Sequence, residues 1–137
     1  MIGTDSWGLK AIVIGVTFFL SALPIAADDR EMTQEYSTCL EQSNGVTAEM
    51  INCILAETVR QDARLNQNYK NVLSKLAAER KSALIEAQRA WIRFRDTNCR
   101  FYADPEGGSA ARMAAGECML NAIAQRATEL GLLTNDK

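Results

Sequence analysis

Four cysteines, Cys39, Cys53, Cys99 and Cys118, are the side chains whose type and spacing most restrict the chemistry open to this chain. None are spaced Cys-x-x-Cys, so they read as two structural disulfides of an exported protein. The chain has no histidine. That removes imidazole acid–base catalysis, histidine-bearing triads and every zinc site with an imidazole ligand. Hydrolysis of a glycan by paired carboxylates needs two acids facing each other across a cleft. Asp104 and Glu106 are only neighbours in one loop. No catalytic residue, metal site or cofactor follows from these residues, and the expectation is a protein that is not an enzyme. Arg89, Arg93, Arg95 and Arg100 are interleaved with Trp91, Phe94 and Phe101, a mixture that could suggest nucleic acid. With 17 acidic and 15 basic residues and a net charge of −2, the chain lacks the excess of positive charge such a partner requires. The aromatics, with Tyr69 and Tyr102, read as core, and the charges as a solvated helix face.

The elements that position these residues begin after an export segment. Residues 11–27 carry no charge, follow Lys10, are broken by Pro24 and end in Ala26 and Ala27 ahead of Asp28, Asp29, Arg30 and Glu31. Seventeen uncharged residues fall short of the ~20 of a membrane-spanning helix and match a signal peptide cleaved after Ala27. No lipobox precedes Cys39, so no stable membrane anchor is expected. The location predicted is periplasmic or secreted. Residues 28–137 then form one domain with a single modest core.

Within that domain the only proline is Pro105, and glycine is sparse, so long helices are the natural reading. Breaks at Ser43, Asn44 and Gly45, and at 104–109, divide the chain. Helical blocks are predicted over about 31–42, 48–78, 82–102 and 110–130, with Thr47 and Ser109 as caps and Gly131 as a stop. The fold class predicted is all-α: a small disulfide-stapled bundle of one short and three longer helices. In the second block Ile51, Leu55, Thr58, Asp62, Leu65, Tyr69, Val72 and Leu76 have the spacing of a helix seam. Leu84, Gln88, Trp91, Arg95, Asn98 and Tyr102 repeat it in the third, and Met113, Gly116, Leu120, Ile123, Ala127 and Leu130 in the fourth. The stripe slips near 78–81, which predicts a turn there that folds the third block back on the second.

Four cysteines allow three pairings, and helical geometry prefers one. Cys39 and Cys53 are centred on the first loop, and Cys99 and Cys118 on the Gly-Gly loop, so each pair lies level across a hairpin. A Cys53–Cys99 bond would need an axial mismatch of about 12 Å to vanish. Each predicted bond closes a loop worth ~3 kcal/mol in the chain-entropy model. A direct antiparallel hairpin of blocks two and three would also set Asp62 beside Arg95 and Asn98. That predicts a buried polar cluster of Asp62, Asn66, Gln88, Arg95 and Asn98, in which Arg95 grips the carboxylate and fixes register. On this reading Asp62→Ala lowers the melting temperature clearly.

Cys39, Met50 and Cys53, then residues 62–66 with Tyr69, residues 88–96 with Cys99, and Gly107, Gly108, Ser109, Cys118, Arg126 and Leu130 form a pattern that resembles the LprI-type lysozyme inhibitor family. The lipoprotein signal associated with the named inhibitor is absent here, and Ala77, Ala78, Glu79, Arg80 and Lys81 stand where a break, often proline-bearing, is usual. The resemblance implies a secreted protein that inhibits a lysozyme by occupying its active cleft and so protects the cell wall. The loop with Asp104, Glu106, Gly107, Gly108 and Ser109 is the contact expected, stapled next door and able to bring bare backbone into a groove. The alternative is an envelope structural or chaperone-like protein that binds other proteins through a helical face, which an exposed apolar patch would favour.

Overall fold

The computed structural model describes residues 32–135, and the predicted export segment, residues 1–27, lies outside them. Among the described residues four helices follow one another: α1 (Gln34–Gln42), α2 (Thr47–Lys75), α3 (Ala78–Tyr102) and α4 (Gly108–Asn135). Thr33 caps α1, its hydroxyl accepting from the Tyr36 N–H. Asn44 and Gly45, both at positive φ, then reverse the chain into α2. Leu76 and Ala77 are extended and separate α2 from α3 without help from glycine or proline, slightly ahead of the 78–81 turn that the stripe predicts.

Three predicted helix ends are corrected. Thr47 is the first residue of α2 and not its cap, a position held by Val46 without a side-chain hydrogen bond. Ser109 lies inside the first turn of α4, behind Gly108. Gly131 does not stop α4, which continues to Asn135. Its lack of a side chain serves packing instead: a Cβ there would stand 3.0 Å from the Asn68 amide nitrogen, which donates to the Ala127 carbonyl at 2.8 Å.

The packing order differs from the predicted hairpin. Helix α4 packs along both α2 and α3, and α1 packs on α2. Contacts between α2 and α4 rise together in number, so the two run parallel. A Cβ on Gly116 would meet Ile54, Arg64 reaches Ala124 and Thr128, and Lys75 reaches Thr134. Helix α3 runs antiparallel to α4, from Gln88 beside Arg126 to Cys99 beside Cys118. Leu65, Ile123, Ala127 and Leu130 form the core, flanked by Tyr69, Leu84, Trp91 and Met119. With α4 between them, α2 and α3 splay, and residues expected to face each other directly line a groove.

The α4 stripe is buried from Leu120 through Ile123 and Ala127 to Leu130, whereas Met113 and Gly116 at its start are half-buried. On α2 the predicted seam holds at Leu65 and Val72 but is one residue out in the first half. There Ile54 is buried while Leu55 is 56% exposed. The helix faces inward through Cys53, Ile54, Glu57 and Gln61, and two polar residues in that stripe disguise it as a solvent face. On α3 the stripe holds from Leu84 to Arg95 and then passes through buried Cys99, leaving Asn98 and Tyr102 exposed.

Candidate functional site

Both disulfides hold the same end of the bundle. Cys39 is bonded to Cys53 and Cys99 to Cys118, with Cα–Cα distances of 5.7 and 5.4 Å, the pairing that hairpin symmetry predicts. Because Gly116 stands beside Ile54 across parallel helices, the two bonds lie about one helical turn, ~5 Å, apart along the bundle. The α1–α2 and α3–α4 loops both emerge from this end, so each starts from a covalently fixed base.

The α3–α4 loop is tight. Asp104 accepts from the Glu106 N–H through Oδ1 at 2.9 Å and from the Gly107 N–H through its carbonyl at 3.1 Å. Gly108 opens α4 at a φ of +60°, a conformation that side chains resist. Asp104, Glu106, Gly108 and Ser109 are exposed and Gly107 is half-buried. Beside the loop stand aromatics that helical spacing assigns to the core but that the structure exposes: Phe101 at 82%, Phe94 at 65% and Tyr102 at 45%. Phe101 and Tyr102 meet edge to face with centroids 5.4 Å apart. Phe94 and Tyr102 border a shallow groove with Glu117 and Asn121 of α4. The core stripe on α3 turns toward Cys99, which leaves these rings on the outer face. Trp91 and Tyr69 do pack against the core.

The predicted polar cluster is not assembled as a buried ion-pair network. Asp62 is half-buried and accepts from the Asn66 amide at 2.8 Å. Arg95 pairs with its neighbour Asp96 at 2.7 Å. Asn98 lies beyond the groove, its amide 3.4 Å from the Cys118 sulfur. Gln88 alone is buried, and it accepts from Arg126 at 3.0 Å. The insertion of α4 is the cause, since it removes the direct α2–α3 contact on which the cluster depends. Asp62, Asn66, Gln88 and Arg95 nevertheless line one groove.

A buried carboxylate exists elsewhere. Glu57 is fully buried and accepts from the Thr33 N–H (2.9 Å), the Thr33 hydroxyl (2.6 Å), Arg60 Nε (2.8 Å) and the Gln61 amide (2.6 Å). Burial pushes its pKa up, but the hydrogen bonds from Gln61, Thr33 and Arg60 outweigh it and hold the carboxyl below its ordinary value. Nearby, burial and then the Glu117 and Glu57 carboxylates push the Tyr36 hydroxyl up. Glu57 thus ties the start of α1 to α2. The signal in the sequence is the run Glu57, Gln61, Arg64 at helical spacing, which lies off the predicted apolar seam because it is polar.

Among the described residues no group of cysteine, aspartate and glutamate is placed to hold a metal ion, and no helix is long and apolar enough to cross a membrane. No curated protein and no solved structure matches the chain. One family model does, that of the lysozyme inhibitor LprI, over residues 37–130, from within α1 to within α4. It spans both disulfides, the α3–α4 loop and the groove between α2 and α3, and by this match over more than half of its length the chain belongs to the LprI lysozyme inhibitor family.

Proposed function

We propose that this protein is exported, loses residues 1–27, and in the periplasm or outside the cell binds and inhibits a lysozyme with its doubly stapled end. The observation that carries the reading is the exposed α3–α4 loop, fixed at its base by the Cys99–Cys118 bond and edged by Phe101 and Tyr102. A loop that is already ordered loses little conformational freedom on entering a cleft, and exposed aromatic rings are the side chains that anchor protein interfaces most strongly. Asp104 and Glu106 suit a basic enzyme surface. Membership of an inhibitor family supports the same reading. Inhibition by occlusion asks nothing of the chain's own chemistry.

The test is a turbidity assay in which the purified protein is titrated against several lysozyme types. A loop variant with Asp104, Glu106 and Ser109 replaced by alanine is expected to lose inhibition while keeping the wild-type melting temperature. A second reading, an envelope structural or chaperone-like protein, is favoured by a separate observation. An apolar groove of about 410 Å³ lies near the α2–α3 turn, between Val72, Leu76, Leu84 and Leu133. Absence of inhibition at high molar excess against every lysozyme type tried selects that reading.

A further inference from the structure

Two sequence segments that the stapled end leaves unused, 62–69 and 88–95, meet across the splayed helices α2 and α3. They enclose a groove of about 390 Å³, within the range of small-ligand sites, ~300–1,000 Å³. Its floor is apolar, built from Leu65, Tyr69 and Trp91. The Arg95 and Arg126 guanidinium carbons stand 5.1 and 5.9 Å from the Trp91 ring centroid and fix the indole in place. The two walls differ in kind. On α2, the Asn66 amide donates to both the carbonyl and the carboxylate of Asp62, and the two side chains keep further acceptor oxygens. On α3, Gln88 is 94% buried, being 6% exposed. Its oxygen is committed to Arg126, which leaves its amide as the donor that this residue brings to the groove it lines. Arg89 stands exposed at the rim beside it.

We infer that this groove binds a short neutral saccharide, seated against Leu65 and Tyr69 beside Trp91 and held between Gln88 on one wall and Asp62 and Asn66 on the other. A sugar ring has an apolar C–H face and hydroxyls that each donate and accept, which matches an apolar floor between a donor wall and an acceptor wall. Opposite charges on the two walls disfavour a formal anion or cation. The helices offer no free backbone edge for an extended peptide, and the groove is too polar for an amphipathic helix. The site lies away from the α3–α4 loop and stands or falls independently of lysozyme inhibition.

The full-length ¹⁵N-labelled protein is titrated separately with maltotriose, cellotriose, chitotriose and trialanine while amide and indole signals are followed. At least one of the three saccharides is expected to shift the Gln88 and Asn66 side-chain amides and the Trp91 indole saturably, leaving residues 104–109 unmoved. Gln88→Glu keeps the acceptor for Arg126 and replaces the donors with a second, charged acceptor oxygen. This variant and the opposite-wall variant Asn66→Ala are each expected to weaken binding about tenfold with an unchanged fold. The assignment is overturned if no saccharide moves these signals at about 10 mM, if both variants bind like wild type, or if trialanine alone moves them, which makes the groove a peptide site.

Discussion

Replacing Glu57 by glutamine tests the structural reasoning where it departs furthest from the sequence pattern. The side chain keeps its shape, but the carboxylate takes four hydrogen bonds, and an amide offers one oxygen and an NH₂ group. In either orientation of that amide, the NH₂ is pressed against one donor from Thr33 together with that of Gln61, at the Oε1 position, or that of Arg60, at the Oε2 position, in a site without solvent. Hydrogen bonds to a charged group contribute ~1.5–3 kcal/mol each, and a buried donor left unpaired costs ~1–3 kcal/mol. Arg60 can turn to water, so about 3 kcal/mol is the expected loss at neutral pH. For a domain of this size that lowers the melting temperature by about 12–24 °C, measured by circular dichroism with both disulfides intact. The difference also depends on pH with a definite sign. The folded-state pKa of Glu57 lies below its unfolded value. Its contribution is therefore complete above the ordinary glutamate value, about 4.3, and is lost as the pH falls through the lower folded-state value. Glutamine does not titrate, so the gap between variant and wild type must be widest near neutrality and close below about pH 4. A variant melting within about 3 °C of wild type at pH 7, or a gap that persists into acid, refutes the assignment of Glu57 as the latch on α1.

Two further substitutions separate structure from pattern. Asp62→Ala is expected to change stability by no more than ~0.5 kcal/mol in a urea titration, because its partner is the exposed Asn66 and not a buried arginine. A large loss would restore the ion pair that the seam predicts. Gly116→Val is expected to cost about 1–3 kcal/mol by the same measurement. A Cβ at that position already meets the buried Ile54 at 3.2 Å, and a branched side chain must push α4 away from α2.

The pairing of the cysteines was legible because each pair spans one loop, and helical rise alone sets which residues stand level. The α4 stripe was legible for a related reason: it lies between two helices, and Leu120, Ile123, Ala127 and Leu130 are apolar without interruption. The placement of α4 between α2 and α3 was not legible. The same seam spacing serves whether its partner is the next helix in the chain or the one after, and nothing in residues 51–76 distinguishes the two. The burial of Glu57 and Gln61 carries no apolar signal, because it depends on Thr33, distant in sequence and supplied by the fold. Phe94 and Phe101 misled in the opposite sense. Ring size argues for burial, yet the buried line on α3 ends in Cys99, and the staple takes the place a ring would fill. Of the candidate contact, the loop itself was readable from Pro105, Gly107 and Gly108, whereas its aromatic border was not.

The parallel course of α2 and α4 has a consequence for how the molecule is assembled. Their hydrogen bonds join residues 59–64 positions apart, Asn68 to Ala127 and Arg64 to Thr128 among them. A nascent chain that ends before α4 has nothing to cover Leu65 and Val72, so its first three helices form a scaffold with an unfilled seat. Helix α4 acts as a keystone: consolidation waits for it to be made, and a premature stop just beyond Tyr102 should yield a sticky, protease-sensitive fragment and not a smaller working domain.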